Sequence, residues 1–154
     1  MIQSGDFGPK FIQGLLDEEI ALARPMGIEV ESADDRTVVL RAPLQPNGNH
    51  MGTAFGGSQY ALAVLAGWAW LTRFMASRGI DGHAVIQEAS THYLAPVHGE
   101  LRACLQTPPA DEVEKFRKML ERAGRGRLRL RVEIQNHETL ATLFDGVFAA
   151  TLRR

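Results

Sequence analysis

The sequence predicts an α+β fold in which a curved antiparallel sheet wraps one long apolar helix. Three observations lead there. No Asp, Glu, Lys or Arg lies between Arg41 and Arg73, and the second half of that stretch is the apolar run YALAVLAGWAWL. A helix that is apolar on nearly all sides is buried by protein or by lipid. The run Tyr60 to Leu71 falls well short of the roughly 20 apolar residues a bilayer requires, so protein is expected to bury it. The third observation is a set of short alternating segments, two pairs of which are joined by brief polar turns. Such turns set neighbouring strands antiparallel.

The elements follow in order. Phe11, Leu15, Leu16, Ile20 and Ala23 recur at helical spacing around Asp17, Glu18 and Glu19, which predicts a helix over 11–23 closed by Pro25. Met26 to Ser32 and Arg36 to Pro43 read as strands around an Asp34-Asp35 turn. A Pro/Gly/Asn-rich loop then leads into the central helix, predicted over 54–78 and capped near Gly79. Ala84 to Leu94 and Leu101 to Gln106 read as strands, and Pro108-Pro109 breaks the second. Asp111 to Ala123 has Val113, Phe116, Met119 and Leu120 on one face, predicting an inserted helix over 111–123. From Arg127 to Gln135, Leu128, Leu130, Val132 and Ile134 alternate with charged residues, the pattern of a half-buried strand. Asn136-His137-Glu138 turns the chain into a last strand, Leu140 to Leu152.

Length and composition narrow the function. At 154 residues the chain reads as one domain, 1–154, large enough for a full core. A net charge of −1 gives no global case for nucleic acid or an anionic membrane as partner. One cysteine, Cys104, rules out an intrachain disulfide and fits a reducing compartment. The N-terminal segment lacks the basic-then-apolar pattern of a secretory signal. A soluble cytoplasmic protein is the expectation.

The chemistry is expected at the loop–helix junction, Gly56-Gly57. Amide groups at a helix start have no intrahelical partner and can bind an anion or a developing oxyanion. The alternative is that these glycines only let the loop turn tightly. Asn49 is a candidate there, or simply a turn residue. Ser58 and Gln59 open the helix; an amide can hold a water but cannot take its proton. Gln87 and Glu88 interrupt an apolar strand, and because successive strand residues face opposite sides, only one of them is expected to face inward. His50, His92 and His98 match no metal-ligand spacing, and no metal site is expected. Arg125, Arg127, Arg129 and Arg131 crowd one segment without interleaved aromatics, which argues against nucleic acid. They are either a solvated face or an anion-recognition site.

These residues resemble the hotdog-fold thioesterases. Asn49-His50-Met51-Gly52-Thr53-Ala54-Phe55-Gly56-Gly57 is similar to the N-x-x-G-x-x-H-G-G motif of acyl-CoA thioesterases of the phenylacetate-pathway type. His92 to Gly99, HYLAPVHG, is similar to the aromatic-x-x-Pro-Val-x-Gly strand end of that fold. Gly52 to Ser58 followed by Tyr60 to Trp68 resembles a subfamily of small thioesterases that occur alone or attached to an acetyltransferase domain. The resemblance runs from about Phe11 to Leu152. It implies a homodimer, with a dimer of dimers left open, whose sites lie at the subunit interface. It also implies a thioester carbonyl pointed at the Gly56 and Gly57 amides, and an Asn49 that orients water or carbonyl. Two positions depart from the pattern: Phe55 stands where the motif has His, and the central helix carries no carboxylate before Arg73, Val64 occupying the position eight residues after Gly56.

The resulting expectation is an acyl thioesterase acting on acyl-CoA or acyl-carrier-protein thioesters, with coenzyme A or phosphopantetheine entering only as part of the substrate. Asn49 and Gln59 would position water, and Gln87 or Glu88 would come from the partner's strand. Met51, Phe55 and Ser58 would line the acyl pocket, and Arg125 and Arg127 would meet substrate phosphates. The alternative is a non-catalytic acyl-thioester binder or sensor with the same cleft. Hydratase chemistry on enoyl thioesters is disfavoured by Phe55.

Overall fold

A computed structural model describes residues 6–153. The chain forms α1 (Pro9–Glu19), α2 (Ala23–Met26), β1 (Glu29–Ala33), β2 (Val38–Ala42) and a 3-10 turn at Gln45–Asn47. These are followed by α3 (Gly56–Ser77), β3 (Gly82–Tyr93), β4 (Leu101–Leu105), α4 (Ala110–Ala123), β5 (Arg125–Asn136) and β6 (Thr139–Leu152). The strands make one six-stranded sheet in the order β1-β2-β4-β5-β6-β3, antiparallel throughout. Both edge strands, β1 and β3, therefore have one side free of sheet pairing.

The 22-residue α3 lies against the sheet and touches β2 through β6. Leu62, Ala63, Ala66, Ala69 and Leu71 are fully buried. The sheet meets them with its inward residues: Leu128, Leu130, Val132 and Ile134 on β5, and Phe144 and Phe148 on β6. One flank of α3 is less covered. Tyr60 is exposed and Val64, Trp68 and Thr72 are half-buried, a stripe at four-residue spacing.

Several boundaries differ from the sequence reading. The N-terminal helix ends at Glu19, and Pro25 sits inside the short α2, in a first turn where its missing N–H removes no bond. β1 starts only at Glu29, because Gly27 takes a left-handed φ of 71° as the C-cap of α2. On α4, Phe116 and Leu120 are buried but Met119 is exposed. On β3 the alternation breaks, because the pairing with β6 slips between Ile86 and Glu88. Among the described residues, no helix is long and apolar enough to cross a membrane.

Candidate active site

Two loops build the start of α3. In the first, Asn47 is almost completely buried and its Nδ2 donates to the carbonyls of Met26 and Pro43, each at 2.8 Å. Its own carbonyl accepts the Phe55 N–H at 2.7 Å, which fixes the last residue before the helix. Asn49 holds the loop tip. Its Oδ1 accepts from the N–H groups of Met51 (2.9 Å) and Thr53 (3.1 Å), and its Nδ2 donates to Thr53 Oγ1 at 2.9 Å. In the second loop, the Val97 carbonyl accepts the Ala54 N–H at 2.8 Å. The Tyr93 hydroxyl donates to the Gly56 carbonyl at 2.8 Å. The two segments that carried the family resemblance thus meet in space.

With Phe55 N–H engaged, the next amides are those of Gly56, Gly57 and Ser58. Among the described residues none of the three has a hydrogen-bond partner, and no side chain caps the helix. α3 has no acidic residue in its first turn or anywhere along its length. The positive end of its dipole is therefore not neutralised from within the helix. Neither glycine has a left-handed φ; what the positions limit is room for a Cβ, severely at Gly57 and by only a few tenths of an ångström at Gly56. A Cβ on Gly56 would sit 3.2 Å from the Tyr93 ring, and one on Gly57 would sit 2.5 Å from the Phe55 ring. Two half-exposed aromatic rings, Phe55 at 56% and Tyr93 at 52%, therefore stand over the open amides.

Gly57 and Ser58 also face a hollow of about 320 Å³ walled by Leu22, Pro25, Phe55 and Ala61. Met51 is 73% exposed at the loop tip. Burial, with a smaller contribution from Tyr60, raises the Tyr93 pKa above its usual value, so this phenol remains a proton donor at neutral pH.

Gln59 is 4% exposed, with both ends of its amide engaged: Nε2 donates to the Ala54 carbonyl at 3.2 Å, and Thr142 Oγ1 donates to its Oε1. It ties the first turn of α3 to β6. A Thr142→Val substitution is expected to strand that carbonyl and lower stability by about 1–3 kcal/mol, measured as a shifted urea midpoint with unchanged slope.

The remaining candidates lie elsewhere. Glu88 pairs with Val147, whereas Ile86 pairs with the inward Phe148 and Ala89 with Gly146. Paired residues share a face, so Glu88 is on the outer face of the sheet and exposed. Gln87 is the extra residue of the bulge, without a ladder partner and also exposed. The expectation that strict alternation turns one of the two inward is thus removed by the bulge.

Arg125 and Arg127 are exposed on the outer face of β5. Thr142, at the helix start, pairs with Ile134; Arg127 lies seven residues before Ile134 (134 − 127), roughly 23 Å along the strand. Within one protomer these arginines are not at the Gly56 turn. His50 and His98 are exposed in loops, and His92 is exposed on β3. Among the described residues, no three His, Cys, Asp or Glu side chains converge as a metal group would require. Cys104 is half-buried, and burial raises its thiol pKa against the lowering effect of Arg102. It is a poor nucleophile at neutral pH.

The sequence reading missed three contributors. Tyr93 stood inside the quoted HYLAPVHG segment, which was the available signal. Asn47 looked like any turn residue, and Thr142 like any strand residue; nothing local marked either.

Comparison with known proteins agrees with this architecture. Residues 10–152 match the model of a family described as "Putative thioesterase (yiiD_Cterm)". A crystal structure of a protein of unknown function from Chlorobaculum tepidum is 31% identical, with a TM-score of 0.90 over 96% of this chain and 98% of that one. A putative thioesterase from Shewanella oneidensis is 26% identical, with a TM-score of 0.83 over 94% and 97%. A probable thioesterase from Pseudomonas aeruginosa, 18% identical, shares the fold with a TM-score of 0.78 over 94% and 95%. The match spans nearly all of the described residues and includes both loops that build the start of α3, so the chain belongs to this putative thioesterase family and has its hotdog fold.

Proposed function

We propose that the chain is an acyl thioesterase, acting on acyl-CoA or acyl-carrier-protein thioesters at a site completed by a second copy of itself. The observation that carries this is the set of free amides at Gly56, Gly57 and Ser58, opening an acid-free helix beside an apolar hollow. The thioester carbonyl lies against those amides, which gain strength as the oxygen becomes an oxyanion. Water attacks the carbonyl carbon and passes a proton to the surrounding solvent, the C–S bond breaks, the acyl group leaves as the carboxylic acid and the sulfur leaves as a thiolate. A thiol pKa near 8.5 makes this a good leaving group, so a strong general acid is not essential.

The polar groups of Asn49 and Gln59 are already engaged, and they serve by holding the loop and the first turn in place. Met51, Phe55 and Ser58 border the acyl group. Two observations support the homodimer. The stripe of Tyr60, Val64 and Trp68 is incompletely covered, and the β3 edge beside it is unpaired with Val85 and Tyr93 exposed. An open edge of this length is a template for pairing.

Antiparallel pairing of two β3 edges brings the Gly82 end of one strand beside the Tyr93 end of the other. At the Gly82 end, His83, Arg125 and Arg153 border an open hollow of about 810 Å³, suited to substrate phosphates, with Arg127 one step further along β5. Gln87, the bulge residue that is not held in the β3–β6 ladder, is better placed than Glu88 to enter a partner's site.

Thiol release from a panel of acyl-CoA and acyl-carrier thioesters, with the assembly mass in solution, tests the proposal. Turnover by a dimer is the expected result. A monomer, or no turnover at any chain length, contradicts it. Binding without turnover favours the non-catalytic binder, a reading that the missing helix carboxylate supports.

A further inference from the structure

The opposite end of α3 carries a second cavity, of about 350 Å³, far from the Gly56 turn. It lies between the C-terminal half of α3, the first turns of α4 and the β1–β2 turn at Asp35. Its origin is in the sequence. Pro108 and Pro109 force extended backbone before α4. The later part of α4 closes on the core, where Phe116 meets the Phe74 ring at 6.0 Å and packs over Gly126. The earlier part stands off, leaving a wedge.

The floor of the wedge is apolar. Trp70 and Phe74 stack at 5.3 Å, and Pro108 and Val113 face them. Its rim carries three arginines and two acids. Arg73 is taken by Asp35 at 2.8 Å and by the Phe7 carbonyl. Arg117 is taken by Glu114 and Glu121. Arg78 differs: its guanidinium rides 3.9 Å above the Phe74 ring and reaches only the Ser77 hydroxyl. Among the described residues it forms no ion pair.

We propose that this wedge is a second binding site, for a small monocarboxylate with an apolar body. The volume is in the usual range for small-molecule sites. The apolar body covers the Trp70–Phe74 floor, and the carboxylate takes the two-pronged guanidinium of Arg78. A cationic ligand of the same shape would meet the guanidinium of Arg78, the one rim arginine without an ion pair among the described residues. The site shares no residue with the Gly56 turn and does not depend on the chemistry assigned there.

Octanoate titration of the full-length protein, followed by NMR, tests this. The Trp70 indole N–H, which donates to the Asp35 carbonyl at 3.2 Å, is the reporter; Trp68 lies in a separate groove against α1. The expected result is a saturable shift of the Trp70 indole signal with octanoate and none with octylamine. Arg78→Gln, a change at an exposed side chain, is expected to weaken the binding about tenfold. Val113→Phe is expected to abolish it by filling the wedge. Absence of a saturable Trp70 shift overturns the proposal, as does equal affinity in either variant or equal binding of octylamine.

Discussion

A Gly56→Pro variant is expected to fold normally and to lose about 10²–10³ of its thioester turnover. Gly56 is the first residue of α3, a position that proline occupies readily because its N–H has no intrahelical partner. The preceding residue, Phe55, already has the extended backbone that proline demands, with φ −65° and ψ 133°. The substitution therefore removes one free amide while keeping the backbone geometry of the helix start. Gly56→Ala is the matched control. Both side chains place a Cβ 3.2 Å from the Tyr93 ring, so any steric cost is common to the pair. Only the proline deletes the donor. Thiol release measured for both variants, with melting curves to confirm folding, isolates the amide's contribution. Equal activities would remove this amide from the mechanism.

The largest loss of stability is expected from Phe148→Ala, about 3–5 kcal/mol. Phe148 is fully buried in the middle of β6, between Ile86 and Leu128 on the flanking strands. Its ring fills the space above Gly67, where a Cβ would run into it, so the ring packs directly on the backbone of α3. Removing the ring leaves a cavity between helix and sheet that neither rigid element can close. Met119→Ala on α4 is the contrasting case. Helical periodicity puts Met119 on the buried face, yet it is 54% exposed, and its loss is expected to stay within about 0.5 kcal/mol. Urea unfolding of the two variants against the parent measures both.

These cases also indicate what could be read from the sequence and what could not. The buried helix was legible because Tyr60 to Leu71 has no charge to solvate, and only a wrapping sheet explains that in a short run. β5 was legible because its leucines and arginines alternate with period two, a property of one strand alone. The bulge at Gln87 was not legible. It depends on how β3 registers against Phe148 and Val147, some sixty residues later in the chain by simple subtraction (148 − 86 = 62), and one extra residue there reassigns which side chains face the core. The loop chemistry divides the same way. Gly56 and Gly57 were recognised by position before a helix. Asn47 was not, because its importance comes from carbonyls at Met26 and Pro43. Gln59 was read as a water-holding group, but its amide is already shared between Ala54 and Thr142, a pairing that only the folded sheet creates.

The most direct test of the central claim is an amide-resolved titration with a stable acyl-CoA analogue in which a methylene ketone replaces the thioester. The account predicts that, as the analogue saturates the protein, the backbone N–H signals of Gly56, Gly57 and Ser58 move together and downfield. Saturation that leaves those three signals in place would contradict it.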